Sequence, residues 1–309
     1  MNQTDHVPGL VSIVIPTYNQ AAFLKHALEC VLAQTYEQWE AIVINNFSQD
    51  DTISSVESFR DPRISLVNFS NGGVIARSRN LAISQARGEF IAFLDSDDLW
   101  EPTKLEKSVR ALSPSVDIVC HAERWFGGNA PDRIVAYGPA ERATYESLLF
   151  DGNCVSTSAT VIRREILHKL GGFRENAEFI TTEDYDLWLR VAQAQCTFVF
   201  IDEVLGSFRR HLSSASSSHL KHLRAEIAVI EDHFRANSPR FDSYWKRRLA
   251  HAYYSAARAC SRATLGIDGF KLFAKSLMTY PWRARTWLGL ILHFLIMLKA
   301  PWNRQPSVN

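Results

Sequence analysis

Three aspartates stand within four positions at the end of an apolar run. The segment FIAFL, residues 90–94, is followed by Asp95, Asp97 and Asp98. Two like charges about 4 Å apart repel by about 4 kcal/mol at an effective dielectric constant of about 20, so this cluster needs a positive partner. Carboxylate oxygens on one loop suit Mg²⁺ or Mn²⁺ bound jointly with substrate phosphates. An EF-hand is excluded because leucine and tryptophan occupy the fifth and sixth loop positions.

The same aspartates have a second explanation, which is to cap a helix predicted to begin near Pro102. One aspartate would suffice for a cap, so three favour a cation. The chain contains neither GxGxxG nor GxxxxGK[ST]. Phosphates are therefore not bound by a dinucleotide fingerprint or a P-loop, and we expect a metal ion to replace the glycine-rich loop.

A second acidic cluster lies in TTEDYDLWLR, residues 181–190, which contains Glu183, Asp184 and Asp186. A positioned carboxylate that removes the proton of a hydroxyl nucleophile contributes ~10²–10⁴ in rate. The alternative is structural. Thr181 and Asp184 have the spacing of a capping box, and Glu183 suits the positive end of a helix dipole.

The elements that must position these clusters alternate in the first third of the chain. Strands are predicted at 11–15, 41–44, 64–69 and 90–94, and helices at 21–34, 50–60 and 74–86. This βαβ pattern predicts a mostly parallel sheet with helices on both faces. Ligands of such sheets bind beyond the carboxyl ends of the strands, where Thr17, Tyr18, Asn45, Asn46 and the aspartates fall.

The pattern becomes mixed after residue 115. Strands are predicted at 116–122, 158–162 and 197–201, with a helix at 184–195. A serine-rich segment at 213–218 is followed by predicted helices at 219–236 and 240–263. We therefore predict one large domain over 1–215 and a helical region over 216–309.

Composition narrows the functional classes. The 309 residues are 46% hydrophobic with a net charge of +1, and they lack the basic excess typical of nucleic-acid binding. The five scattered cysteines form no CxxC pair, which favours free thiols in a reducing compartment. The N-terminal segment MNQTDHVPGL resembles no secretory signal, so we expect a cytoplasmic location.

An apolar stretch, WLGLILHFLIML, occupies residues 287–298. Its twelve residues are too few to span a bilayer, which takes about 20. Tryptophans and basic residues flank it, as expected of a segment lying in a membrane interface, and the candidate interface segment is 282–302. The flanking residues are Trp282, Arg283, Arg285, Lys299 and Trp302. The alternative is a helix packed on the protein's own core.

Five segments together resemble the inverting family 2 glycosyltransferases of the bacterial cell-surface polysaccharide type. They are VSIVIPTYNQ, NNFSQDDT, ARSRNLAISQARGEFIAFLDSDD, TTEDYDLWLR and FRRH, and the resemblance covers residues 10–212. It implies a GT-A (Rossmann-like) α/β fold with a mostly parallel central sheet flanked by helices and a C-terminal helical appendage. It also implies a nucleotide-sugar half at 10–115 and an acceptor half at 116–215.

The resemblance implies a donor site and a divalent metal, Mn²⁺ or Mg²⁺. Asp97 would coordinate the metal within the DxD motif, with Asp95 beside the ribose. His211 would reach the metal or the diphosphate, and an imidazole ligand favours Mn²⁺ somewhat. Arg79 would lie beside the donor, unless it makes an ordinary surface ion pair. The other implied donor-site residues are Pro16, Thr17, Tyr18, Asn80 and Ser96.

The chain departs from the family at the second strand, where Asn45 and Asn46 replace the usual Asp-Asp or Asp-Asn. An amide can accept through its oxygen but can also donate, so the base stays open, with a UDP-sugar favoured. Asp184 matches the family's catalytic base, with Glu183 beside it. Arg209 and Arg210 could meet phosphate charge.

The predicted function is metal-dependent, inverting transfer of a sugar from a nucleotide sugar to an acceptor hydroxyl, in surface polysaccharide or glycolipid synthesis. The acceptor would be a saccharide or a lipid-linked molecule. If the apolar segment docks on a membrane, the protein would lie peripherally on the cytoplasmic face of the inner membrane. One alternative is a catalytically inactive nucleotide-sugar-binding or scaffold protein. A nucleotidyltransferase is a weaker alternative, because its glycine-rich, basic first loop is missing.

Overall fold

A computed structural model describes residues 6–128, 130–211, 219–262 and 266–299. The chain divides into two compact units, Met1–Ser214 and Ala215–Asn309. The serine-rich segment at 213–218, the predicted boundary at residue 215 and Trp302 lie outside the described residues.

The first unit begins with strands and helices in strict alternation. They are β1 (Val7–Thr17), α1 (Ala21–Leu32), β2 (Trp39–Asn45), α2 (Thr52–Glu57), β3 (Ile64–Asn68), α3 (Ile75–Gln85) and β4 (Gly88–Phe93). Neighbouring strands of this half pair in parallel, in the order β3-β2-β1-β4. Every residue of β2 is buried, as expected of a parallel strand covered on both faces.

The remainder of the first unit mixes strand directions. It contains β5 (Leu99–Trp100), α4 (Lys104–Ala111), β6 (Ile118–Phe126), β7 (Arg133–Val135), α5 (Tyr145–Asp151), β8 (Thr160–Arg163), α6 (Arg164–Leu170), α7 (Glu183–Gln193) and β9 (Phe198–Arg209). Strand β8 runs antiparallel to both β4 and β6. Within the described residues the sheet order is β3-β2-β1-β4-β8-β6-β9-β5, with β7 beside β6. Strands β6 and β9 pair in parallel. The predicted α/β class is confirmed, with parallel pairs among the strands of residues 7–93 and between β6 and β9.

The acidic loop lies between two strands and not at the start of a helix. Residues 99–100 form β5, which pairs with Gly206 and Ser207 of β9. Helix α4 begins at Lys104 with Thr103 at its N-cap. The explanation of the aspartates as a helix cap is therefore wrong, because the chain turns back into the sheet before the helix begins.

The second unit consists of helices α8 (His219–Ala236), α9 (Ser238–Arg262), α10 (Gly266–Thr279) and α11 (Ala284–Lys299) in its described residues. Helix α10 was not predicted, since Gly266 and Gly269 weaken helix propensity. Gly269 is required by packing, because a Cβ there would lie 2.5 Å from the ring of His293. None of the described helices has both the length and the apolarity needed to cross a bilayer.

A buried polar cluster joins three strands of the parallel half. The Ser12 hydroxyl donates to the Glu40 carboxylate over 2.6 Å and accepts from the backbone N–H of Gly88. Arg87 donates its backbone N–H and its Nε to the same carboxylate. Desolvation raises the pKa of Glu40, but the hydrogen bonds from Ser12 and Arg87 outweigh it and hold the pKa below its ordinary value.

We predict that Glu40→Gln lowers the free energy of unfolding by about 1–2 kcal/mol at pH 7, because the charged acceptor of this cluster is lost. The pKa of Glu40 is lower in the folded chain than in the unfolded chain, where it is about 4.3. The stabilisation is therefore complete above the unfolded pKa and is lost as the pH falls through the folded pKa. Urea unfolding should therefore show a smaller difference in unfolding free energy between the original protein and Glu40→Gln in acid than at pH 7.

The matched control is Glu37→Gln, which changes an exposed carboxylate nearby. It should leave the unfolding free energy within about 0.5 kcal/mol of the original. A Glu40→Gln protein as stable as the original at pH 7 would contradict the proposed stabilisation.

Candidate active site

The acidic loop follows β4 directly and is strongly desolvated. Asp97 Oδ2 lies 2.7 Å from His211 Nε2, and Asp98 Oδ1 accepts from the backbone N–H of Arg209 over 2.9 Å. Burial raises the pKa of Asp97, as does the charge of Asp95, while His211 opposes both. Burial and the Asp97 charge raise the pKa of Asp98 well above its ordinary value. Burial and mutual repulsion therefore disfavour the charged forms of Asp97 and Asp98, and a bound cation would relieve both effects.

Arg79 of α3 connects the two acidic clusters. Its Nη1 donates to Glu183 Oε1 and its Nη2 donates to Asp95 Oδ1, each over 2.7 Å. The side chain is 4% exposed, and its guanidinium lies 5.3 Å from the centre of the Phe173 ring. The alternative of an ordinary surface ion pair is therefore wrong. Arg79 holds the end of β4 next to the start of α7.

Helix α7 begins at Glu183 under local backbone strain. Glu183 Oε2 accepts from the backbone N–H of Thr181 over 2.8 Å. Thr181 has φ of +83°, which is costly for a β-branched residue. Thr182 occupies the N-cap, so the capping box predicted from Thr181 is not how this helix starts. Burial raises the pKa of Glu183, although Arg79 opposes that shift.

Asp184 receives hydrogen bonds from two neutral donors. Its Oδ2 accepts from the Thr157 hydroxyl over 2.9 Å, and its Oδ1 accepts from the backbone N–H of Tyr185 over 2.8 Å. Thr157 is buried, whereas Asp184 is partly exposed. A carboxylate has about four acceptor positions, so Asp184 can still accept a substrate hydroxyl. Sequence reasoning missed Thr157, whose only signal was its position in the segment NCVSTSATV.

The asparagines at the end of β2 join the loop after β2 to the end of β3 and the segment that follows it. Asn45 is fully buried, and its amide donates to Asn68 over 2.8 Å while accepting from the backbone N–H of Ser48 over 3.0 Å. Asn46 Oδ1 accepts from the backbone N–H of Asn71 over 3.0 Å. Contact between these amides and a nucleotide stays a prediction.

The end of β1 lies beside that loop, since Thr17 is in register with Asn45. Pro16 and Thr17 are buried, and the Thr17 hydroxyl oxygen has no hydrogen-bond partner among the described residues. Tyr18 is about half exposed. The nearby Ser96 hydroxyl donates to Gln20 Oε1, which joins the acidic loop to the segment after β1.

The observed hydrogen bonds of Asn80 do not reach either acidic cluster. Its amide donates to the backbone carbonyl of Phe173 and accepts from the Phe173 N–H. A Cβ on Gly172, where φ is +70°, would lie 2.5 Å from Asn80 Oδ1, so the glycine permits this close approach. The predicted contact of Asn80 with the donor stays a prediction.

The two arginines before His211 point in different directions. Arg209 donates its Nε to the Asp97 carbonyl over 2.9 Å, and its guanidinium lies 4.7 and 4.6 Å from the ring centres of Phe23 and Phe126. Arg210 donates instead to the carbonyls of Ala130 and Pro131. Arg209 therefore supports the acidic loop, while Arg210 binds the segment after β6.

The chemistry of the acidic loop fits a divalent ion. Among the described residues, no three histidine, cysteine or carboxylate side chains converge as a complete metal site. Mg²⁺ and Mn²⁺ sites that include substrate phosphates need only one or two protein carboxylates. Asp97 could supply one, and His211 places an imidazole nitrogen 2.7 Å from it. A cation there would also relieve the repulsion between Asp95 and Asp97.

The chain is similar to known proteins of one family. The chain matches the family described as "Glycosyl transferase family 2" over residues 12–171. It is 31% identical over 231 residues to the UDP-Glc:alpha-D-GlcNAc-diphosphoundecaprenol beta-1,3-glucosyltransferase WfgD of Escherichia coli, covering 72% of this chain and 86% of that protein.

Two solved structures share the fold at lower identity. The mannosyltransferase PcManGT from Pyrobaculum calidifontis, in complex with GDP-Man and Mn²⁺, has a TM-score of 0.61 and 20% identity, covering 93% of this chain and 85% of that one. TarS 1-349 from S. aureus, in complex with UDP-GlcNAc, has a TM-score of 0.59 and 17% identity, covering 94% and 90%. The predicted GT-A fold is thereby confirmed.

We predict that Arg79→Lys lowers the free energy of unfolding by about 2–3 kcal/mol, because an ammonium keeps the charge but cannot span the buried Glu183 and the partly exposed Asp95. Urea unfolding of the two proteins measures the difference. Arg77→Lys is the control on the same helix, since its ion pair with Glu175 is partly exposed and should contribute less than about 0.5 kcal/mol. Equal losses in both variants would show that Arg79 has no special role.

Proposed function

Because the chain belongs to glycosyl transferase family 2 and is a glycosyltransferase of polysaccharide synthesis, we propose a metal-dependent, inverting transfer from a nucleotide sugar to an acceptor hydroxyl. The observation that carries this proposal is the bridge from Arg79 to Asp95 and Glu183. It holds a candidate donor-binding loop and a candidate catalytic base in one site, as a single displacement requires.

The proposed base is Asp184. Its carboxylate removes the proton of the acceptor hydroxyl as that oxygen forms a bond to the anomeric carbon of the donor sugar. The bond from the anomeric carbon to the diphosphate oxygen breaks on the opposite face, and the nucleoside diphosphate leaves with the electron pair. Thr157 acts as a positioning residue, since its hydroxyl keeps one oxygen of Asp184 in place.

Glu183 has a different role from its neighbour. Both of its oxygens accept hydrogen bonds, one from Arg79 and one from the Thr181 N–H, and the side chain is 7% exposed. We propose that Glu183 fixes the first turn of α7. That turn positions Asp184 toward the acceptor. Because both of its oxygens are already engaged, Glu183 has less capacity than Asp184 to accept a substrate hydroxyl.

The donor would bind along the acidic loop. Asp97 and His211 would hold Mn²⁺ or Mg²⁺, and such an ion when bound supplies positive charge for the diphosphate. Asp95 and Ser96 would lie beside the ribose, with Pro16, Thr17, Tyr18 and Asn46 toward the base. Arg79 neutralises Asp95 from the protein side, which reduces its repulsion of the diphosphate.

The substrates that we favour are a UDP-sugar and a saccharide or lipid-linked acceptor. The relative from Escherichia coli is named for a UDP-sugar donor and a diphosphoundecaprenol acceptor, which supports both choices. A cytoplasmic location on the inner face of the membrane would give access to both substrates. The alternative of an inactive binding or scaffold protein has no support from the site, in which Asp184 keeps free acceptor capacity.

We predict that Asp184→Asn lowers kcat for sugar transfer by ~10²–10⁴, because an amide cannot take the hydroxyl proton. Thr157→Val should lower kcat by about tenfold with little change in KM for the donor, whereas Thr157→Ser, which keeps the hydroxyl, should restore most of the rate. Steady-state kinetics with a panel of UDP-sugars measures these effects.

Thermal unfolding serves as the control, because the Asp184→Asn protein should melt within a few degrees of the original. Near-normal turnover by Asp184→Asn would refute its role as base. Equal losses in Thr157→Val and Thr157→Ser would refute positioning through the hydroxyl.

A further prediction concerns the metal. We expect calorimetry to detect Mn²⁺ binding that strengthens when UDP is present, because the diphosphate completes the coordination. Asp97→Ala should abolish this heat, while Asp202→Ala, which removes an exposed carboxylate of β9, should preserve it. Absence of binding to the original protein, with or without UDP, would contradict metal dependence.

A further inference from the structure

Helix α11 exposes an apolar stripe. Of the 17 large apolar side chains exposed within the described residues, ten fall between residues 267 and 298 and seven are on α11. The seven fall at 287–288, 291–292, 294–295 and 298, and the first residues of these groups are three or four residues apart, which places all seven on one side of the helix. They are Trp287, Leu288, Ile291, Leu292, Phe294, Leu295 and Leu298.

The opposite side of α11 is fixed by packing. A Cβ on Gly289 would lie 2.8 Å from Phe273 and 3.1 Å from Tyr254, so the helix approaches its neighbours closely there. His293 is fully buried and hydrogen-bonds the Ser261 hydroxyl. Because these contacts fix the rotation of α11, the apolar stripe cannot turn inward. The alternative of a helix packed on the protein's own core therefore holds for one side of α11, while the other side is exposed.

Basic side chains gather where α11 begins. Arg283 lies 4.9 Å from the Tyr254 ring, and burial lowers its pKa, as do the charges of Arg285, Arg247 and Arg248. Arg247 and Arg285 are exposed. The indole of Trp282 is 85% exposed beside them. Arg248 is buried and paired with Glu226. Arg247, Arg283 and Arg285 repel one another, and an anionic partner would relieve that repulsion.

The charge of the whole second unit is also strongly positive. Residues 215–309 contain 15 Lys and Arg against 5 Asp and Glu, a net charge of +10, whereas residues 1–214 contain 19 against 28, a net charge of −9. The net charge of +1 for the whole chain is the sum of these two opposite charges. In a symmetric dimer through this surface, the second units of both copies would face each other with like charge, which disfavours that dimer.

We propose that the exposed stripe of α11, together with Trp282 and the arginines at its start, docks in the plane of a bilayer that contains anionic phospholipid. Apolar side chains would enter the boundary between headgroups and acyl chains, and the arginines would contact phosphate groups. The 16 residues of α11 suit a helix that lies on a membrane, since about 20 are needed to span one. This docking does not depend on the proposed chemistry of the first unit.

Flotation of the full chain with vesicles tests the proposal. One vesicle preparation contains phosphatidylcholine alone, and the other contains phosphatidylcholine and phosphatidylglycerol in equal parts. The original protein should float with the mixed vesicles and bind the neutral ones at least about tenfold more weakly. Leu288→Gln should weaken binding to the mixed vesicles by about tenfold, because glutamine keeps the helix but loses the apolar burial.

Two matched controls separate this surface from general effects. Ile134→Gln changes a side chain of the first unit that is as exposed as Leu288, and it should float as the original does. Arg285→Glu should weaken flotation, whereas Arg224→Glu, which removes the same charge elsewhere in the second unit, should have a much smaller effect. Donor hydrolysis without vesicles should be unchanged in Leu288→Gln, so a failure of docking is distinguishable from a failure of the proposed function.

Three results would overturn the proposal. The first is no flotation of the original protein with either preparation. The second is equal flotation of the original and Leu288→Gln. The third is a stable dimer in light scattering that Leu288→Gln converts to a monomer while neither protein floats, since a second copy would then cover the stripe.

Discussion

The buried guanidinium of Arg79 is the interaction on which the candidate site depends. It contacts Asp95, 16 residues further along the chain, and Glu183, 104 residues further along. The first carboxylate ends the parallel half of the sheet, and the second begins α7. Removing one partner from a buried ion pair costs about 3–5 kcal/mol, so the protein cannot separate these elements without a large loss of stability.

The four carboxylates of the candidate site differ in their hydrogen-bond and charge partners. Asp95 and Glu183 share the single positive charge of Arg79, whereas Asp97 contacts His211 and is repelled by Asp95. Asp184 accepts only neutral donors in the contacts that we observe, a hydroxyl and a backbone N–H. Four neighbouring acids can therefore take three roles, which are to hold the architecture, to attract a cation and to accept a proton.

The two units have opposite charge and distinct chemistry. The first is acidic and contains the candidate donor-site residues, while the second is basic and exposes an apolar stripe on α11. A glycosyltransferase with a lipid-linked acceptor needs both functions, because its donor is dissolved in water and its acceptor is anchored in a bilayer. Our proposals for the two units are thus compatible but rest on separate observations.

The sequence alone determined the α/β class, the family and the two acidic clusters, because strand periodicity and local motifs are properties of contiguous residues. It also predicted α8, α9 and the apolar helix near the C-terminus. Only the tertiary structure decided that Arg79 joins the two clusters, that Thr157 orients Asp184, and that Asn45 and Asn80 bind protein loops. The reason is physical, since a side chain's hydrogen-bond partners depend on which distant loops meet in space, and one segment does not contain that information.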